Sequence, residues 1–187
     1  VGCRRHSSGP MRVVLLLLVL VLPPAAFAQG YQPAYETHGG ALGRGPELVL
    51  VYFGMTECVP CHDPDFKADL ERAKGLLAEQ AAATGRGFAA VGVAMDWDVA
   101  EGFAFLQGSG RFDEVAIGRN WENAAALTHL WRPDGLESRQ IAIPSVLVYE
   151  REVTSAASIA ATAPTYRFEA VGADAIRAWV AAGAPVE

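Results

Sequence analysis

The sequence predicts an α/β fold, one domain built on a central mixed β-sheet with helices packed against it. Three observations carry that prediction. Short apolar runs alternate with stretches of helical spacing in the order β-α-β-α-β-α-β-β-α. The runs lack a polar alternate face, which suits strands buried on both sides and joined by parallel crossovers. The last two strands have no helical pattern between them, so they close as an antiparallel hairpin.

The elements follow in order. Residues 47–53, "ELVLVYF", form the first buried strand. Residues 58–83 read as a helix with Phe66, Leu70, Ala73, Leu76 and Leu77 at helical spacing, ended by Gly85 and Gly87. Pro60 suits its first turn, and Pro64 bends the helix or starts it afresh. Residues 87–97 are a second buried strand, and 98–110 a short helix capped by Asp98 and stopped by glycines. A short third strand covers "FDEVAIG". A helix with Asn120 as its cap follows, over 120–131. The strands "IPSVLVYERE" and "TYRFEAVG" come next, with the low-complexity stretch "VTSAASIAATAPT" between them read as a mobile loop. "ADAIRAWVAAG" is an amphipathic last helix stopped by Gly183.

The amino-terminal region has a different character. Met11 opens a segment in which Arg12 precedes an apolar run from Val13 to Leu22 and small residues end at Ala28. This is the pattern of a secretory signal peptide removed after Ala28, since ten apolar residues fall short of the ~20 needed to span a bilayer. Residues 29–46, rich in Gly and Pro, are an irregular lead-in, and 47–187 form the domain. Loss of Arg4, Arg5 and Arg12 with no acid takes the net charge from −6 to −9. An acidic domain without a basic run is a poor ligand for nucleic acid or anionic lipid. A periplasmic or otherwise exported location is expected.

Cysteine usage narrows the chemistry. With Cys3 removed, the exported chain keeps Cys58 and Cys61, spaced C-x-x-C, in a compartment where disulfides persist. A loop that short constrains the unfolded chain too little to staple a fold, so the pair serves chemistry. At a helix start beyond the end of a strand, the first N–H groups favour a Cys58 thiolate, and Cys61 lies one turn on to resolve a mixed disulfide. Pro144, behind Ile143, precedes the apolar strand "SVLVY".

The strand running into C-x-x-C, the later Ile143-Pro144 and the closing hairpin and helix together resemble the thioredoxin superfamily. The likeness covers roughly residues 46–183, and the extra helix and strand before Ile143 are most similar to exported thioredoxin-like reductases, including those of cytochrome c maturation. The resemblance implies a thioredoxin-like fold with an inserted helix and strand ahead of a cis-Pro strand. It further implies catalytic Cys58 and Cys61, a cis Pro144 packed against the dithiol, and an Ile143 backbone that receives an extended protein substrate. No cofactor beyond the dithiol is implied and no metal. The implied partners are protein thiols and disulfides, with a membrane electron donor to recharge the site.

This chain departs from the family pattern at three places. Glu57 stands where Trp is usual, and its carboxylate disfavours the Cys58 thiolate. Tyr52 stands where a buried proton-relaying Asp is usual, and Pro64 comes early. His62 completes C-x-x-C-H; protonated, it lowers the Cys58 pKa, and as a ligand it opens a haem reading, with Met95 the opposing Met. A copper or zinc reading recruits the two thiolates, His62 and a distant His129, with His38 in the lead-in. A binding module with a vestigial dithiol is the third alternative. Trp97, Trp121, Trp131 and Trp179 are read as packing residues, and Asp96 and Asp98 as cap and turn acids.

Overall fold

Leu48–Phe53 are fully buried at every position, and this run sets the architecture. They belong to strand β1 (Gly45–Gly54). Leu48, Leu50 and Tyr52 enter one core, while Val49, Val51 and Phe53 enter another on the opposite face. The computed structural model describes residues 44–132, 141–155 and 159–186, with Gly2 besides. The chain divides into two compact units, Val1–Ala34 and Tyr35–Glu187, and every described residue except Gly2 lies in the second. The expected signal peptide and most of the lead-in lie outside the described residues. Among the described residues, no helix is long and apolar enough to cross a membrane.

Strand β2 (Gly87–Ala94) pairs parallel with β1, from Glu47 opposite Gly87 to Gly54 opposite Ala94. Strand β3 (Glu114–Ile117) extends the sheet parallel to β2. On the other side β4 (Ser145–Ser155) runs antiparallel to β1, with Ser145 opposite Phe53. Two further strands, β5 (Ile159–Ala161) and β6 (Thr165–Val171), pair antiparallel with β4, and the sheet order is β3-β2-β1-β4 with both of them beyond.

Helices α1 (Pro64–Ala83), α2 (Val99–Ser109) and α4 (Ala173–Ala181) cover one face through Phe66, Leu70, Leu77, Phe105, Leu106, Ile176 and Val180. Helix α3 (Ala124–His129) covers the other through Ala126, joined there by Leu130. The result is a mixed sheet with helices on both faces, compatible with the expected thioredoxin-like fold and its inserted α2 and β3.

The structure differs from the sequence expectation in three places. The helix expected over 58–83 is two elements, a 3-10 turn (Val59–His62) and α1, which starts afresh at Pro64. The cap of α3 is Asn123, whose side chain accepts from Ala125 N at 2.8 Å. Asn120 instead begins a 3-10 turn (Asn120–Glu122) at φ 48°. The stretch read as a mobile loop contributes Val153–Ser155 to β4 and forms β5; residues 156–158 lie outside the described residues. There Glu152 N donates to Thr162 Oγ1, and Thr154 Oγ1 to Ala160 O, so polar side chains help hold a hairpin that lacks apolar signal.

His129 sits on the α3 side, stacked on Tyr149 at 5.2 Å and bonded through Nδ1 to the Tyr166 hydroxyl at 3.1 Å. Burial, aided by Arg132 and Arg151, pushes its pKa down to about 4. The folded protein therefore holds His129 neutral where the unfolded chain takes up a proton. This contribution to stability is complete above pH ~6.5 and is lost as pH falls toward 4, by at most about 3 kcal/mol. Urea unfolding of the wild type between pH 7 and 4 is expected to show that loss, and His129→Gln to flatten it.

Candidate functional site

Strand β1 delivers the chain to the carboxyl end of the parallel strands, where Met55–Cys58 make a tight turn closed by Cys58 N donating to Met55 O at 3.1 Å. Thr56, inside the turn, is held from both sides. Its N–H donates to Asp96 Oδ1 at 3.1 Å, and its carbonyl accepts from His62 Nε2 at 2.6 Å. A carbonyl only accepts, so Nε2 carries the proton and the His62 ring is fixed in that sense. The same ring lies edge-on to Phe105 of α2 at 5.7 Å.

Cys58 is the N-cap of the 3-10 turn, and its carbonyl accepts from Cys61 N at 3.0 Å. The two cysteines form a disulfide with their Cα atoms 5.3 Å apart. Cys58 is 7 % exposed and Cys61 fully buried, so of the two cysteines Cys58 is the one that borders solvent. The intervening Val59 is 82 % exposed.

The helical support behind Cys58 is less than the sequence suggested. The turn has four residues, Pro60 lacks an N–H, and the long helix begins only at Pro64. Its cap is Asp63, which accepts from Asp65 N at 2.9 Å and pairs with Arg177 of α4. The Arg177 guanidinium and the Asp65 amide hold the Asp63 carboxyl below its usual range. The positive end of the α1 dipole thus falls on Asp63 rather than on Cys58.

The Ile143–Pro144 peptide is cis. Ser145, the first residue of β4, pairs with Phe53, so Pro144 lies level with Gly54 at the end of β1 from which the turn to Cys58 leaves. Its carbonyl accepts from Gly172 N at 2.8 Å. Ile143 and Met55 both pack against the two cores, one of which includes Cys58 and Cys61. The dithiol, His62, Glu57, Ile143 and Pro144 therefore share one end of the sheet.

The departures noted in the sequence resolve physically. Glu57 is exposed and Cys61 wholly buried, so the Glu57 carboxylate is solvated rather than inserted beside Cys61. Tyr52 is enclosed by the rings of Phe66, Phe105 and Phe112. Burial, offset only partly by the Ser109 hydroxyl, raises its pKa and keeps it protonated, so it is no substitute for a relaying carboxylate.

The residues that the metal and haem readings add to the dithiol and His62 lie elsewhere. His129 stacks on Tyr149 in the opposite core, and Met95 is buried in that core as well. There His129, Tyr149 and Arg151 help line a cavity of about 310 Å³, apart from the dithiol. His38 lies outside the described residues. The His62 Nε2 that a haem iron would need donates to Thr56 O. Among the described residues, no three His, Cys, Asp or Glu side chains gather as a metal site. Trp179 is buried, whereas Trp97 stands 73 % exposed next to Asp96. Asp98 caps α2 as expected, but Asp96 is buried and bonded to a residue forty positions away, a partner that no local pattern signals.

Gly54 joins β1 to this turn, and a Cβ there would overlap the Tyr52 hydroxyl and lie 2.8 Å from Phe105 Cζ. Gly54→Ala is expected to destabilise the protein by about 1–3 kcal/mol through overpacking, read from the urea midpoint. Compared with known proteins, the chain matches no family model, no curated protein and no solved structure.

Proposed function

We propose that the protein is an exported thiol–disulfide oxidoreductase of the thioredoxin superfamily that reduces disulfides in protein substrates. The observation that carries this reading is the Cys58–Cys61 pair at the carboxyl end of β1, with Cys58 bordering solvent, Cys61 wholly buried, and Ile143–Pro144 at the same end of the sheet. In the reduced protein the Cys58 thiolate attacks a substrate disulfide, forming a mixed disulfide and releasing one substrate thiolate. Cys61 then gives up its proton and attacks the Cys58 sulfur. The second substrate thiol leaves, two electrons have passed to the substrate, and Cys58–Cys61 is a disulfide again. Ile143 presents its backbone to an extended substrate segment beside Pro144, a form of strand addition.

The direction of electron flow follows from what supports the thiolate. A dithiol is oxidising when its thiolate is well stabilised. Here the turn behind Cys58 is short, Pro60 withholds an N–H, and Glu57 adds a neighbouring negative charge. Each weakens that stabilisation, so the pair acts as a reductant. His62 pulls the other way when protonated, from a position fixed by Thr56. The site works with no cofactor beyond its own disulfide and no metal, and a membrane electron donor returns electrons to it.

Reduction of insulin by the dithiothreitol-charged protein is expected to fall at least a hundredfold in Cys58→Ser. Equal, negligible activity in both would favour a binding module. The Cys58–Cys61 reduction potential is expected nearer the thioredoxin value of about −270 mV than the disulfide-forming value of about −120 mV. Equilibration with glutathione measures it, and a value at the oxidising end would reverse the direction. Cys61→Ser is expected to accumulate mixed disulfides with its substrates, visible as bands that collapse on reduction.

A further inference from the structure

Asp96 is an acidic group that the exchange chemistry leaves unassigned. It lies two residues past the end of β2, at the sheet end that carries Cys58, and is only 5 % exposed. Three elements enclose it. The Met55–Cys58 turn gives the Thr56 N–H to Oδ1 at 3.1 Å. The start of the 3-10 turn gives the Asn120 N–H to its backbone carbonyl at 3.3 Å. Gly102 of α2 lies so near that a Cβ there would sit 3.3 Å from the Asp96 Cβ.

Its second oxygen, Oδ2, is buried with no hydrogen-bond partner. Burying such an oxygen is unfavourable. A hydroxyl or an amide would serve the Thr56 N–H equally well, so what the carboxylate adds is charge. That charge is held against Thr56, whose Cα is at most about 7.6 Å from that of Cys58 by chain geometry alone.

We propose that Asp96 is a positioning residue of the dithiol. Oδ1 pins the peptide leading into Cys58, and the shielded charge disfavours the Cys58 thiolate, making the Cys58–Cys61 dithiol a better electron donor. This deepens the exchange reading and rests on it. The other titratable or charged groups around the turn are Glu57 and His62 on the dithiol segment, Asp98 and Glu101 at the start of α2, and Arg119 and Glu122 at the Asn120–Glu122 turn. All six are exposed and screened by water and salt, whereas Asp96 is enclosed.

Asp96→Asn keeps an oxygen for the Thr56 N–H and removes the charge. In the reduced protein, the pH midpoint for alkylation of Cys58 by iodoacetamide is expected to fall by about one unit. The equilibrium constant for reduction of the disulfide by glutathione is expected to rise by up to about tenfold. Both changes persist in high salt, while those of Glu57→Gln fade. A midpoint and equilibrium equal to wild type, or changes that fade with salt as those of Glu57→Gln do, overturn the proposal. Should Asp96→Asn fail to fold, Asp96→Ser, whose hydroxyl also accepts, is read in the same way. The exchange reading fails separately, if the wild-type pair equilibrates with glutathione yet does not reduce insulin, because the alkylation measurement needs no protein substrate.

Discussion

Enclosure of β1 between two cores is the constraint on which the rest of the structure depends. A strand buried on both faces needs partners along both edges for its N–H and C=O groups, and β2 and β4 supply them over nearly its whole length. It also needs helices on both faces, which α1 and α3 provide. Because β1 is fixed so completely, the residues just beyond it inherit a defined position. That is where the turn into Cys58 begins.

The turn itself is held by few bonds, each with a clear purpose. Thr56 is gripped through its N–H by Asp96, just past β2, and through its carbonyl by the side chain that follows Cys61. Cys58 therefore rests on a segment tied to the sheet on one side and to its own partner cysteine on the other. On the proposed exchange reading, opposing influences meet on its sulfur: a short helical turn and an imidazole that favour the charged form, and carboxylates that disfavour it.

Much of this was legible in the sequence because it is local. The unbroken apolar run of 48–53, the C-x-x-C after it and the Ile143-Pro144 before "SVLVY" each announce themselves within a few residues. What stayed hidden depends on distant partners. Strand β5 is written in Ala, Ile and flanking Ser and Thr, which say little until β4 lies alongside. Asn120 and Asn123 are both plausible caps three residues apart, and the positive φ of Asn120 leaves the role to Asn123. The helical pattern across 58–83 left open whether Pro64 bends the helix or starts it afresh; Asp63, which caps the new start and pairs with Arg177 of α4, decides for the restart.

Lys74 carries a consequence for how the domain is assembled. Its ammonium is wholly enclosed within the packing of α1, 2.6 Å from Glu71 Oε1, 2.6 Å from the Arg111 carbonyl and 3.8 Å from the centre of the Phe112 ring. Two of those three contacts come from the segment between α2 and β3, so a carbonyl and a ring of the inserted region take the place of water around a cation of the central helix. A buried charge stripped of its partners is severely destabilising. The insertion is thus no detachable ornament: excising it to reach a minimal scaffold would leave the Lys74 ammonium with Glu71 as the one remaining partner of these three.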